Sequence, residues 1–310
     1  MKATAIIVTH NRVEKLKNTI SATVTAGFNY VVIVNCDSND GTYEYLSTIS
    51  DRHFHIINCD NIGGAGGFAK GTKYILDNID TDWVVFFDDD AYPSEYFLEQ
   101  LSQLGGNKFQ GFSAHVCSKD ERLPMMNRQV IQYPDTTKKL FNYLFKKESS
   151  IVSECHLDGN IYPIESASFV GFVLSLDVLR QYHSLINPDL FIYYDDTFFT
   201  RSLTKRGFKI AFTSRLSFVH DVGPASDMPP WKIYFLSRNF FITKPLCTSF
   251  SFYSMLVMKC GKIVFNILKC SGVFPKVRAF LLGLKDGFSS NYNRFDKTSI
   301  IDGLNRFINS

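Results

Sequence analysis

The chain has 310 residues, 45% of them apolar, and a formal net charge of +3. That length allows one large α/β domain with an appendage, or two domains, with a sizeable core and no large disordered part. A charge this close to neutral gives no case for a nucleic-acid partner.

Seven cysteines, at positions 36, 59, 117, 155, 247, 260 and 270, are scattered, odd in number and never spaced CxxC. They read as reduced thiols of a cytosolic protein and not as zinc ligands. The first strand, Ala3–Thr9, starts almost at once, so no cleavable leader is expected. No apolar stretch reaches about 18 residues without a charge, so no transmembrane helix is expected.

Residues 4–9 and 31–34 are apolar runs of the kind buried on both faces of a parallel sheet. His10-Asn11-Arg12 follows the first, and a helix carrying Leu16 and Ile20 comes next. The second run ends in a polar loop, residues 35–42, with a helix starting near Thr42. A third strand, residues 53–59, leads through Asp60-Asn61-Ile62 into Gly63-Gly64-Ala65-Gly66-Gly67 and a helix to about Asn78. A fourth, residues 83–87, ends in Asp88-Asp89-Asp90. Four alternations of strand and helix in ninety residues predict a doubly wound, mostly parallel sheet.

Further on, residues 94–104 read as a helix and 109–117 as a strand. Residues 118–150 are polar and irregular, with Pro124, Pro134 and Lys138, Lys139, Lys146 and Lys147, and read as an excursion or mobile loop. Residues 166–176 return as a strand, and 178–183 as a short helix. The strand-like run 190–194 ends in Asp195-Asp196, followed by a helix over 198–206 and Gly207 as its cap. Residues 210–212 form a strand, and Phe218-Val219-His220 leads into a Gly-Pro loop.

After Trp231 the residues are mainly Phe, Leu, Ile and Lys. Over 252–270, Lys259, Lys262, Asn266 and Lys269 fall on one helical arc and the rest is apolar. Such a helix either lies on an anionic membrane surface or packs on the domain with its lysines in water. Lys276, Arg278 and Lys285 in the next segment favour the membrane.

Three adjacent carboxylates repel one another unless water or a cation offsets them. Asp88-Asp89-Asp90 is therefore either a metal site at a strand's carboxyl end or an acidic turn. Asp195-Asp196 alone would be a helix cap, and His220 alone a structural histidine. Together, three strand ends carry carboxylates and an imidazole, which suit Mn²⁺ or Mg²⁺, and leave a carboxylate free to act as a base. The run Gly64-Ala65-Gly66-Gly67-Phe68-Ala69 fits a loose G-x-G-x-x-A, so a dinucleotide-binding oxidoreductase is the rival of another class. Two strand–helix units precede it, however, and three carboxylates exceed what a ribose needs. The glycines then mean close approach to a ligand, or a turn.

These motifs together resemble the inverting, metal-dependent glycosyltransferases of family 2, with the GT-A fold, over roughly residues 3–240. The resemblance rests on Ile-Val-Thr-His-Asn-Arg at the start, the loop 35–42, Asp88–Asp90, Asp195-Asp196, and Tyr234 with Arg238-Asn239. The stretch 61–71 is most similar to the bacterial galactofuranosyltransferases. The resemblance implies Asp196 as the base and Asp88, Asp90 and His220 as ligands of Mn²⁺ or Mg²⁺. It implies donor contacts from Thr9, Arg12, Asn35, Asn61, Asp89 and the glycines Gly63, Gly64, Gly66 and Gly67. Glu165, Phe169 (with Phe172) and Asp195 would meet the acceptor. The expected reaction moves galactofuranose from UDP-galactofuranose to a sugar hydroxyl of a lipid-linked surface polysaccharide such as O-antigen or capsule. Rhamnosyl transfer from dTDP-rhamnose is the alternative. Residues 1–240 would form the transferase domain. Residues 241–310 would be a helical, membrane-associating segment holding the enzyme at the inner face of the bacterial cytoplasmic membrane.

Overall fold

The computed structural model describes residues 1–106, 108–119, 127–223, 227–293 and 300–309. Its centre is a nine-stranded sheet. The strands are β1 (Ala3–Thr9), β2 (Tyr30–Cys36), β3 (Phe54–Cys59), β4 (Trp83–Asp88), β5 (Ala91–Pro93), β6 (Gly111–Ser118), β7 (Tyr162–Ile164), β8 (Phe172–Ser175) and β9 (Ile210–His220). They run in the order β3-β2-β1-β4-β8-β6-β9-β5, with β7 also on β9. The first four strands are parallel, β8 runs against β4 and β6, and β9 is parallel to β6. The sheet is thus mostly parallel, as the strand–helix alternation predicts.

Every residue of β1 is buried. The pleat sends alternate residues to opposite faces. Ile6 and Val8 join Phe68 and Ile75 of α3 (Gly63–Asn78) in one core. Ala5 and Ile7 join Leu16 and Ile20 of α1 (Val13–Thr25) in the other. With α2 (Thr42–Ser47), the β1-to-β4 half matches the sequence reading closely.

Three departures concern later segments. The stretch 118–150 is not irregular throughout: after α4 (Phe97–Gln103) it holds α5 (Thr137–Phe145), capped by Thr136, whose side chain accepts from the Lys139 N–H. Residues 120–126, with Pro124, lie outside the described residues, as does Pro224 of the Gly-Pro loop. Of the expected strand 166–176, only β8 forms, followed by α6 (Leu176–Tyr182). The run 190–194 is not a strand. Residues Pro188–Leu190 make a 3₁₀ turn, and Phe191, Tyr193 and Tyr194 take φ of 65°, 70° and 66°. Left-handed backbone at bulky residues is unfavourable by itself. Here Asn239 Nδ2 donates to the carbonyls of Leu190, Ile192 and Tyr193 at 2.7, 2.7 and 3.2 Å. Arg238 Nη2 donates to those of Asp189 and Leu190 at 2.8 and 3.2 Å.

That loop leads into α7 (Asp195–Lys205). Beyond β9 the chain is helical: α8 (Pro230–Asn239), a 3₁₀ turn, α9 (Ser249–Leu268), α10 (Val273–Phe288) and α11 (Ile300–Asn309). α10 lies close on α8, and a Cβ at Gly283 would fall 2.5 Å from the Tyr234 carbonyl oxygen. Contrary to the sequence expectation, α9 is long and apolar enough to cross a membrane by length and composition. Lys259 and Lys262 interrupt its apolar run without ending it.

Candidate active site

The parallel strands β1 and β4 and the end of β9 open onto a cavity of about 640 Å³. Thr9 and Arg12, Asp88 and Asp89, and His220 reach it from these strands. Asn61, Gly63 and Gly64 line it from the start of α3, and Phe169, Asp195 and Asp196 from the far side. Segments 200 residues apart in sequence are joined in one volume: β1 and β4 are neighbours that end side by side, and β5, directly after β4, pairs with the end of β9 and brings His220 in.

The carboxylate triplet divides its work. Asp89 turns back to the β1 loop: its Oδ2 accepts from Thr9 Oγ1 at 2.8 Å and from the His10 N–H at 3.3 Å, and its Oδ1 from Arg12 at 3.3 Å. Burial pushes Asp89 up to about 6, with Arg12 and Thr9 opposing. Asp90 accepts from Arg12 on one oxygen and lies 3.1 Å from His220 Nε2 on the other. The antiparallel pairing of β5 with β9 sets Ala91 opposite His220 and so fixes this contact. Burial works against Asp90, but His220 and Arg12 hold it below the ordinary carboxylate range. Asp88 is pushed up to about 7, first by burial and then by the charges of Asp90 and Asp89.

Asp195 and Asp196 occupy the first turn of α7, where backbone N–H groups favour negative charge. Asp196 Oδ1 accepts from the Thr197 N–H at 2.5 Å. Burial nevertheless raises Asp196 above its ordinary value. It raises Asp195 further, with the charges of Asp196 and Asp88 adding to it.

Five expected site residues do not line this cavity. Asn35 is buried and donates to Asn58 Oδ1 at 2.9 Å, because β2 and β3 pair in register there. Gly66 and Gly67 lie inside α3, where a Cβ would come within 2.8 Å of Ile62 and 2.5 Å of Val8. Gly67 thus lets the helix pack on β1, and Gly66 makes room for Ile62 at the helix start. Glu165 is held in an ion cluster, 2.7 Å from Lys139 and 3.2 Å from Arg201, with buried Asp135 at its centre. Asp90 stands behind His220, off the cavity wall. Phe169 does line the cavity, but it is 4% exposed and stacks on Phe86 at 5.0 Å, and Phe172 is wholly buried in β8. The expected aromatic platform is therefore core.

Residues 4–157 match the model for "Glycosyl transferase family 2". The chain belongs to glycosyl transferase family 2. Galactofuranosyltransferase GlfT1 of Mycolicibacterium smegmatis (strain ATCC 700084 / mc(2)155) is 26% identical over 227 residues, 71% of this chain and 70% of that protein. Among solved structures, S. aureus TarS superimposes with a TM-score of 0.57 at 13% identity, over 95% of this chain and 50% of that one. GalNAc-T7, crystallised with UDP, GalNAc and Mn²⁺, does so with a TM-score of 0.53 at 11% identity, over 94% and 58%. These likenesses show the GT-A fold of this glycosyltransferase.

Several residues of the cavity wall were given no site role by the sequence reading. His10 lies between the loops, its Nδ1 2.6 Å from the Cys36 carbonyl oxygen and its Nε2 3.3 Å from Asn61. Its position directly after β1 could have marked it. Tyr193, Tyr194, Trp231 and Lys232 come from the loop before α7 and from α8. Burial, and then Arg12, pull the Lys232 ammonium below its ordinary value.

Among the described residues no three of His, Cys, Asp and Glu are gathered as a metal cage. The trio Asp88, Asp90 and His220 is thus only partly assembled: Asp90 and His220 touch, and Asp88 does not join them. The chemistry still fits a hard divalent cation. His220 Nδ1 is buried without a hydrogen-bond partner, and Asp88 is pushed up by burial, Asp90 and Asp89, which His220 and Arg12 offset only in part. Two carboxylates with an imidazole are donors that Mn²⁺ accepts.

Proposed function

We propose that this glycosyltransferase moves galactofuranose from UDP-galactofuranose to a sugar hydroxyl of a glycan, with inversion at the anomeric carbon. The carrying observation is that one cavity holds the half-buried Asp196 carboxylate together with Asp88 and His220. A base and a site for a leaving diphosphate on separate walls are what a single displacement requires. Kinship with a galactofuranosyltransferase supports the sugar.

Asp196 accepts the proton of the acceptor hydroxyl while the acceptor oxygen bonds to the anomeric carbon. The bond from that carbon to the diphosphate oxygen breaks on the opposite face, and its electron pair leaves with UDP. Arg12 and Lys232, both cationic and on the cavity wall, draw the diphosphate in. Asp88, Asp90 and His220 would hold a divalent cation, which when bound offsets charge on the departing diphosphate. Thr9 and His10 hold Asp89, and so keep the β1 loop in place under the nucleotide. The oxidoreductase reading loses its ground, since Gly66 and Gly67 are packed against protein.

Release of nucleoside diphosphate across a panel of nucleotide sugars, with and without Mn²⁺, tests the reading. Metal-dependent release from UDP-galactofuranose alone is expected. Release from dTDP-rhamnose alone would replace the sugar. Equal release in the presence of a chelator would remove the metal.

A further inference from the structure

The helices after β9 present an inverted arrangement. A helix lying on a domain in water should be polar on its outer side. On α9 the inner side carries Phe252, Met255, Leu256 and Ile267, all buried. Its outer side carries Phe250, Tyr253, Val257, Val264, Phe265 and Leu268, between 41% and 71% exposed. α10 repeats the pattern with Phe274, Val277, Leu281 and Phe288, and α5 with Phe141, Leu144 and Phe145, all exposed. Both helices pack against α9. Two segments remote in sequence thus bring their bare apolar stripes together. Among the described residues nothing covers them.

The charge beside these stripes has one sign. Residues 230–293 contain nine lysines and arginines and one acid, Asp286. That acid is buried and accepts from Tyr234 at 2.9 Å. Lys262 on α9 and Lys269 at its end, Lys285 on α10, and Lys138 on α5 and Lys146 at its end are exposed. Lys259 points inward instead and donates to Tyr194 Oη at 2.8 Å. That bond and the buried inner side hold α9 flat along the domain.

We propose that α5, α9 and α10 form one docking surface for an anionic lipid bilayer. Their aromatic and aliphatic side chains enter the acyl boundary, and their lysines meet the phosphate groups. The surface extends the C-terminal membrane expectation to α5 and does not rest on the identity of the donor. It would set the cavity, whose wall includes the Tyr194 that Lys259 holds, beside a lipid-linked acceptor.

The test is sedimentation of the full chain with vesicles of phosphatidylcholine, alone or mixed with phosphatidylglycerol. Binding at least tenfold stronger to the mixed vesicles, weakened by salt and reversed by alkaline wash, is expected. F265S/L268S/F274S should lower binding tenfold or more. K262E/K269E/K285E should erase the preference for phosphatidylglycerol. These side chains are exposed, so melting should be unchanged; if the first variant melts early, the lysine variant decides. Absence of binding to both vesicles would overturn the proposal. So would release from cell membranes by detergent but not alkali, which would mean that α9 spans. A dimer dissolved by the same substitutions, without vesicle binding, would overturn it too and give the face to a second copy.

Discussion

The role proposed for Asp196 is at odds with its surroundings. Burial raises it and its neighbour Asp195 above the usual carboxylate range, and Asp195 also feels Asp196 and Asp88. A carboxyl whose folded-state value lies above its unfolded one holds more protons when folded. Stability therefore falls as pH rises from the ordinary carboxylate value through the raised one. At neutral pH the ionised pair costs stability, and Asp196→Asn should raise the melting temperature at pH 7. The same substitution removes the proposed base, so turnover should drop roughly 10²–10⁴-fold with donor binding unchanged. The acidic limb of kcat/KM in the natural enzyme should lie above the range of an ordinary carboxyl, with activity lost as pH falls through it. A variant that melts lower and keeps its turnover would show that Asp196 is structural. His220 and Asp90 illustrate a different kind of residue effect, since strand register sets them side by side.

At the scale of elements, the α3 glycines separate packing from binding. Gly67 meets Val8, and Gly71 meets Ile6 at 2.6 Å, while Gly64 faces open space in the cavity wall. Gly67→Ala should cost about 1–3 kcal/mol of stability through overpacking of α3 on β1. Gly64→Ala should leave melting almost unchanged, since alanine suits a helix, and should raise the donor KM instead. Thermal melts and donor titrations of the two variants check this, and the opposite pattern would return Gly67 to the ligand. The same contrast shows what a sequence can reveal. β1 to β4 were legible because short apolar runs between polar loops have few other solutions. Asp88, Asp195, Asp196 and His220 were legible because carboxylates and histidine at strand or helix ends concentrate charge. The run 190–194 was not legible. Its residues suit a strand, and what bends them is a set of hydrogen bonds from Arg238 and Asn239, more than forty positions on. The ion cluster around Glu165 was not legible for a similar reason: its partners Lys139 and Arg201 come from α5 and α7, and no local pattern announces them.

The whole molecule ties its C-terminal helices to its chemistry. Asn239 and Arg238 shape the loop that delivers Asp195 and Asp196, and both lie in α8. α8 is covered by α10: Gly283 sits against the Tyr234 carbonyl, Gly287 against Phe241, and Asp286 accepts from Tyr234. A core joins Phe191 of the site loop to Tyr234 and Phe235, and these to Ala279, Leu282 and Leu304. A chain ended at residue 240 would bare this core and leave Arg238 without the Tyr292 carbonyl, to which it donates at 3.2 Å. Each buried polar group left unmade costs about 1–3 kcal/mol, and the three left-handed residues before α7 would lose their support. The shortened chain should therefore show a broadened, lowered melting transition and no release of nucleoside diphosphate. Asn239→Ala in the full chain should reproduce the loss of turnover with a smaller loss of stability, because only the loop is freed. If residues 1–240 alone melted sharply and still turned over donor, the C-terminal helices would be an independent appendage. The path from α10 through α8 to Asp196 would then carry no functional weight.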